Sequence, residues 1–164
     1  MTLDMYKWPW TLAEIFRQDD GALEFLLRWR HIPQRLVRRD WPCTIVLTWE
    51  NRFSTPEGFP VEREWASMGA FDVQLGEAVE HDGLALMSLS LTGNREWKLV
   101  FHTRDADEFS KRLHELPRAE QRYPIQLEQH DDPAWTYLDE TFARFGVDPA
   151  QKPSVWQRIK NLFD

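Results

Sequence analysis

The stretch that most constrains the fold is a predicted β-hairpin over residues 83–103, GLALMSLSLTGNREWKLVFHT. Apolar and polar residues alternate on both sides of a turn at residues 92–95, which is the pattern of two half-buried strands. Because side chains alternate across a strand, the apolar residues of this hairpin are expected to share one buried face. They are Ala85, Met87, Leu89, Leu91, Trp97, Leu99 and Phe101. A hairpin alone is marginally stable, so neighbouring segments must extend the sheet and cover that face.

The segment before the hairpin predicts one strand and one helix. Residues 44–53 alternate apolar and polar side chains, as a half-buried strand does. A helix over residues 60–79 is indicated by apolar residues that recur at spacings of three and four. Trp65 belongs to this stripe and is expected to fill the core, as are Trp97 and Trp135.

The segment after the hairpin predicts a second helix and strand. Asp105, with Glu108 three residues later, is typical of a helix N-cap, and residues 123–129 alternate as a strand. The order strand, helix, hairpin, helix, strand predicts a ferredoxin-like split βαβ arrangement. The predicted class is therefore α+β, with a core over residues 44–130 and both helices on one face of an antiparallel sheet.

Extensions are predicted at both ends of this core. Residues 1–30 fit either a helix or two strands, and the Asp20-Gly21 pair favours an N-terminal hairpin. Asp132, followed by Pro133, predicts the start of a third helix.

The chain length fits a single domain with a tail. Its 164 residues, 42% of them hydrophobic, allow one packed core but not two ordinary domains. We expect this domain to span residues 1–146, followed by a linker and a short amphipathic helix within residues 147–164. No signal-peptide pattern and no membrane span of about 18 apolar residues is present in the sequence, so we expect a soluble, cytoplasmic protein.

Charge and cysteine content narrow the classes of partner. The formal net charge of −7 disfavours nucleic acid as a general partner, because phosphate backbones are bound mainly by clustered lysine and arginine. The arginine-rich stretch over residues 28–41 suits single-stranded RNA locally, although a charged run is more typical of a solvated face. A single cysteine, Cys43, excludes an intramolecular disulfide and a cysteine-based zinc cluster. We expect no metal and no other cofactor.

A polar sheet face is the candidate site for chemistry or for a small ligand. Its residues are Glu50, Arg52, Lys98, His102, Glu128 and His130. Carboxylates beside histidines can act as general acids and bases, so a small hydrolase-type enzyme or a ligand-binding domain is the alternative function. In the predicted strand order His102 and His130 flank the strand of Glu50, which separates them by roughly 10 Å. Familiar catalytic motifs are missing from the sequence, so we assign no catalytic residue, and a solvated or covered face is the simpler expectation.

Tryptophan and arginine content favours a protein-binding surface. The chain has nine tryptophans, more than one core of this size requires, and Trp and Arg dominate protein interfaces. The candidate binding residues lie in the arginine-rich stretch and the tail. They are Arg28, Trp29, Arg30, Arg38, Arg39, Trp41, Trp156, Ile159 and Phe163. The leading hypothesis is a non-enzymatic adaptor or inhibitor that binds another protein or a second copy of itself. The alternative is that these tryptophans only pack the terminal segments onto the sheet.

Three short motifs carry a family resemblance. They are Gly58-Phe59-Pro60, the turn Thr92-Gly93-Asn94-Arg95-Glu96-Trp97 with Phe101 after it, and Asp132-Pro133-Ala134-Trp135-Thr136-Tyr137. In these motifs, over residues 44–140, the chain resembles the bacterial family called domain of unknown function 695. The resemblance implies a small soluble bacterial protein without an assigned reaction, with some relatives fused to a domain similar to protein inhibitors of ribonuclease E. It supplies no catalytic residues.

Overall fold

The computed structural model describes residues 4–117, 122–150 and 157–159. These residues form one seven-stranded sheet with three α-helices, which confirms the α+β class. The strands are β1 (Trp10–Phe16), β2 (Leu23–Arg30), β3 (Cys43–Glu50), β4 (Ala85–Gly93), β5 (Glu96–Thr103), β6 (Ile125–Asp131) and β7 (Gln157–Ile159). The helices are α1 (Glu62–Val79), α2 (Ala106–His114) and α3 (Thr136–Arg144). Two short 3-10 turns lie at Met5–Lys7 and Arg38–Asp40.

The strands lie in the order β6-β3-β5-β4-β2-β1-β7. Every neighbouring pair from β6 to β1 is antiparallel, whereas β7 pairs with β1 in parallel. The predicted N-terminal hairpin is therefore confirmed as β1 and β2, and it widens the sheet beyond β4. The alternative prediction of a helix within residues 1–30 is wrong, because the residues of β1 and β2 are strands.

Helices cover both faces of the sheet. On one face, α1 and α2 pack Phe71, Leu75 and Phe109 against apolar residues of β3, β4 and β5. On the other face, α3 packs Leu138 and Phe142 against residues of β1, β2, β4 and β5. The result is a three-layer arrangement with a separate apolar cluster on each side of the sheet.

The predicted cap of α2 is formed by the Asp105 side chain, whereas α3 begins later than predicted, at Thr136 with Trp135 at its N-cap, and not at Pro133. The Asp105 carboxylate accepts a hydrogen bond from the backbone N–H of Glu108 at 3.0 Å, as the sequence predicts. Asp132 accepts from the backbone N–H groups of Thr136 at 2.7 Å and Tyr137 at 3.1 Å. These bonds satisfy N–H groups that have no partner within the helix, so Asp105 caps α2, and Asp132 supports the first turn of α3 from outside the helix.

A β-bulge in β4 corrects the expected face of the central hairpin. Met87 lies opposite Phe101 and Leu89 lies opposite Val100, so Ser88 is an extra residue on the β4 side. Because one extra residue reverses the alternation, Leu89 and Leu91 point to the face of α3, opposite the face of Met87. The prediction that the seven apolar residues share one face is therefore wrong for Leu89 and Leu91.

Trp65 is also placed differently from the prediction. Trp97 and Trp135 are buried as expected, but Trp65 is 41% exposed. Its position on α1 lies at the margin of the apolar stripe, beside the extension of the sheet made by β1 and β2. There it lines an open groove and does not enter the core.

The described part of the tail is a strand where the sequence predicted a helix. Residues Gln157–Ile159 pair in parallel with residues 13–15 of β1. These residues form hydrogen bonds with backbone groups on the outer edge of β1. The amphipathic pattern of the tail sequence carries no information about that edge, so it could not predict the pairing. Trp156 and Phe163 lie outside the described residues. No helix in residues 4–117, 122–150 or 157–159 is long and apolar enough to cross a membrane.

Candidate binding groove

Two of the predicted binding tryptophans are part of the core. Trp29 is fully buried and packs edge-on against Phe142 of α3, with ring centroids 6.1 Å apart. Trp41 is 2% exposed, and its indole N–H donates to the carbonyl of Gly83 at 3.1 Å. Trp29 and Trp41 therefore pack segments onto the sheet, the alternative that the sequence left open, because neither presents its side chain to a partner.

The predicted arginines divide into buried, surface and groove positions. Arg30 is buried and forms an ion pair with Glu80, with its Nη1 2.7 Å from the carboxylate. Arg38 is partly exposed and pairs with Asp139 at 2.9 Å, whereas Arg39 is exposed. Arg28 lies in a groove, as described below. Ile159 belongs to β7 by its backbone.

The predicted polar sheet face does not form one cluster. His102 and His130 flank β3 as predicted, and both lie opposite Thr44. Glu50 is six positions further along β3, roughly 20 Å away at about 3.3 Å per residue. At that end Arg52 donates to the carbonyl of Arg122 at 2.6 Å. Glu50 is therefore too far from either histidine to share acid-base chemistry with it.

The remaining residues of that face are also dispersed. Lys98 lies opposite Thr48 and contacts Glu96 at 3.8 Å. Glu128 and His130 form an exposed pair on β6, 3.5 Å apart. Across the described parts of the chain, no three histidine, cysteine, aspartate or glutamate side chains converge as a possible metal site.

His102 belongs to a buried chain of hydrogen bonds that the sequence did not predict. Its Nε2 lies 2.8 Å from the Ser88 hydroxyl and its Nδ1 lies 3.1 Å from the Thr44 hydroxyl. Thr44 donates in turn to the Asp132 carboxylate at 3.0 Å. Because Thr44 donates to an acceptor-only group, it accepts from Nδ1–H of His102, and the Ser88 hydroxyl, shared with the more distant Val100 carbonyl at 3.3 Å, donates to Nε2. The order resembles a serine, histidine and acid relay, but all four side chains are buried.

The titration of His102 and Asp132 reflects this burial. Desolvation, partly offset by the Asp132 carboxylate, lowers the pKa of His102 to about 3, so its imidazole is neutral at pH 7. Desolvation acts to raise the pKa of Asp132, but hydrogen bonds from Tyr137, Thr136 and Thr44 hold it below its usual value. The pair is therefore a neutral imidazole near an ionised carboxylate, joined through the Thr44 hydroxyl.

An open groove runs along α1 beside the N-terminal hairpin. Its apolar half has a volume of about 280 Å³ and is lined by α1 and by the sheet. The apolar residues and glycine there are Leu12, Leu26, Trp65, Met68, Gly69 and Trp97. A second, more polar half of about 230 Å³ follows along the same helix. Arg28 and Asp72 line both halves and mark the point where they meet.

The guanidinium of Arg28 is held against an aromatic surface at the centre of the groove. Its central carbon lies 4.4 Å from the centroid of the Trp10 ring, and that of Arg30 lies at 4.5 Å. Arg28 Nε donates to the Ser90 hydroxyl at 3.3 Å, and Nη2 reaches Asp72 at 3.5 Å. Both bonds are long, and Nη1 has no partner among the described residues. Arg28 thus keeps donors available for a further acceptor.

Two glycines of α1 open the groove wall. Gly69 and Gly76 are seven residues apart, two helical turns, and each lines one half of the groove. A Cβ at Gly69 would meet nothing within 4 Å. Glycine inside a helix costs roughly 1 kcal/mol relative to alanine, so these positions favour open space over helix stability. The spacing of these two glycines is the one feature of the sequence that could have located the groove. Nothing in the sequence around Trp10 or Asp72 indicates that they line it.

A family model for a family of unknown function, DUF695, matches residues 31–142, more than half of the chain. The chain belongs to this family. The DUF695 match covers β3 to β6 and most of α3, and it begins after the last residue of β2. The α1 wall of the groove is therefore inside the family region, whereas Trp10, Leu26 and Arg28 lie outside it. No curated protein and no solved structure matches the chain.

Proposed function

We propose that this DUF695 chain is a non-enzymatic protein-binding module that holds a short segment of its partner in the groove beside α1. The observation that carries the proposal is Trp65, whose large apolar side chain is 41% exposed above an apolar floor. A surface tryptophan at an open apolar groove is typical of a binding position.

The chemistry of the groove selects a partner segment with two features. The apolar half, with Leu26, Trp65 and Trp97, suits one large apolar side chain. Arg28 stands at its inner end with Nη1 donors available, held in place by Trp10. A carboxylate next to the apolar side chain would accept from Arg28 and displace the long contact to Asp72. We therefore assign the groove to an acidic and apolar segment of another protein.

The buried state of the hydrogen-bond chain supports a non-enzymatic role. Ser88 and His102 would need access to a substrate to act as nucleophile and base. Both are buried, and Trp135 lies against the His102 ring. Their hydrogen bonds are accounted for by the attachment of α3 to the sheet.

We further infer that β3 to β6 form a ferredoxin-like core. The support is their order, β6-β3-β5-β4, with antiparallel neighbours throughout. In addition, α1 connects β3 to β4, α2 connects β5 to β6, and both helices contribute to one apolar cluster. In this assignment the groove lies where the N-terminal hairpin widens the core.

A peptide selection tests the proposed function. Random twelve-residue peptides displayed on phage are selected against the chain, and the enriched sequences are synthesised and titrated by calorimetry. We expect enriched peptides that combine a Leu, Phe or Trp with a neighbouring Asp or Glu. Trp65→Ala and Arg28→Met should each weaken binding at least tenfold, about 1.4 kcal/mol.

The control is Val37→Ala, since Val37 is 54% exposed and lies outside the groove lining. This variant should bind like the unmodified chain. Peptides that bind equally well to the Trp65→Ala and Arg28→Met variants would overturn the proposal.

A further inference from the structure

The two edges of the sheet differ in how they are protected. The outer edge of β1 is paired with β7, so its backbone groups have partners within the chain. At the opposite edge, β6 pairs only with β3 among the described strands. Its residues from Gln126 to Asp131 are all exposed.

Apart from the charged Glu128 and Asp131, the β6 edge lacks the features that usually prevent strand pairing. Natural proteins protect such edges with proline, lysine, bulges or very short strands. The seven residues of β6, IQLEQHD, contain neither proline nor lysine. Its register against β3 is continuous from Ile125 to Asp131. A regular edge of this length is a template for another strand.

The backbone pattern identifies which residues present free hydrogen-bonding groups. The Asp132 N–H donates to Pro42 and the Pro124 carbonyl accepts from Glu50, so even-numbered positions face β3. Because these directions alternate along an antiparallel strand, Leu127, Gln129 and Asp131 direct their N–H and C=O groups outward.

Side-chain pairing favours one register for a second β6 strand. If two copies meet antiparallel about a two-fold axis at Gln129, Glu128 of each lies opposite His130 of the other. Glu128 and His130 already approach to 3.5 Å within one chain, and His130 stacks on Tyr137 with centroids 5.9 Å apart. A two-fold axis at Glu128 would instead place two carboxylates opposite each other, which is unfavourable.

We propose that β6 is a self-association edge through which two copies of this chain pair antiparallel about Gln129, with Glu128 opposite His130 twice. In this register Gln129 pairs with Gln129 and Leu127 with Asp131, all through outward backbone groups. The sheet then continues from one chain into the other. Strand pairing over the five residues 127–131 of each chain buries less than a standard interface, so we expect a dissociation constant on the order of 10 μM.

Sedimentation equilibrium over roughly 1 to 300 μM tests the association. The full chain should shift with concentration from 19.6 kDa toward twice that mass. Gln129→Pro removes an outward N–H that β3 does not use, and proline is tolerated at such positions. This variant should keep its circular dichroism spectrum and stay monomeric throughout the range.

A charge swap tests the register. His130→Glu places carboxylates opposite each other and should raise the dissociation constant at least tenfold. The double variant Glu128→His/His130→Glu restores opposite partners and should return it to within about threefold of the starting value. A chain that is monomeric at all concentrations, a Gln129→Pro variant that still dimerises, or a swap that does not restore pairing would each overturn the proposal.

Discussion

The imidazole of His102 stacks on the indole of Trp135, with ring centroids 3.8 Å apart and planes only 12° apart. His102 lies on β5, and Trp135 precedes α3 with a left-handed backbone, at a φ of 60°. The Trp135 indole N–H donates to the carbonyl of Trp41 at 2.9 Å, which fixes the ring from the other side. This contact anchors α3 to the sheet and leads to two of the following predictions.

Stability should fall below neutral pH because His102 must stay neutral in the folded chain. Its pKa is about 3 when folded and near 6.5 when unfolded, so the unfolded state binds more protons between these values. The stabilisation is complete above pH 6.5 and is lost progressively as the pH falls toward 3. We expect the free energy of unfolding to drop by about 2 kcal/mol from pH 7 to pH 5 through this group. Urea titrations at both pH values measure it, and an equal drop in His102→Gln would contradict the assignment.

The tryptophans of α1 and of the α3 cap should differ sharply in their contribution to stability. Trp135 is 1% exposed, so Trp135→Ala should cost about 3–5 kcal/mol through the cavity it leaves. Trp65 is 41% exposed, so Trp65→Ala should change the free energy of unfolding by less than about 1 kcal/mol. Denaturant titrations compare the two variants. Similar losses in both would contradict the placement of Trp65 in an open groove.

The ion pair between Arg30 and Glu80 should depend on both partners. Glu80 also accepts from the Met87 backbone N–H at 2.6 Å, and both charged side chains are at most 5% exposed. Arg30→Met leaves a buried carboxylate uncompensated and should cost about 3–5 kcal/mol. The double variant Arg30→Met/Glu80→Gln should recover at least part of this loss in thermal denaturation. Arg28→Met is the control, since the Arg28 pair is partly exposed and should cost less than about 1 kcal/mol.

Two glycines should respond in opposite directions to alanine. Gly93 has a φ of 152°, and a Cβ there would clash with the carbonyl oxygen of Glu24, so Gly93→Ala should destabilise the chain by more than about 2 kcal/mol. Gly69 has open space around a Cβ, so Gly69→Ala should stabilise it by roughly 0.5–1 kcal/mol. Thermal unfolding of both variants checks the sign. A destabilised Gly69→Ala variant would contradict the open groove wall.

Local patterns in the sequence were sufficient for most of the secondary structure. The alternation in β3 and β5, the Asp105 cap and the Asp20-Gly21 turn each depend on neighbouring residues, and each leads to the correct element. The bulge at Ser88 could not be read this way, because alternation continues unbroken in the sequence across it. As a result, alternation alone predicts the wrong face for Leu89 and Leu91.

The candidate site was less predictable because it depends on tertiary packing. Arg28, one of the predicted binding residues, lines the groove, but Trp29, the next residue in the chain, is fully buried in the cluster that faces α3. Adjacent residues of a strand point to opposite faces of the sheet. Trp29 is buried only because α3 covers its face of β2, and the sequence of β2 does not reveal that placement. The groove itself combines α1 with a hairpin distant in sequence, so no single motif contains it.

The most direct test of the central claim is an amide chemical-shift titration of the isotope-labelled chain with a peptide enriched in the selection described above. The groove assignment predicts that the largest shifts fall on Leu26, Arg28 and Gly69, together with the indole N–H of Trp65. It also predicts that these shifts vanish in Arg28→Met at the same peptide concentration. Shifts confined to the surface around Val37 and Arg39, with the groove signals unmoved, would contradict the account.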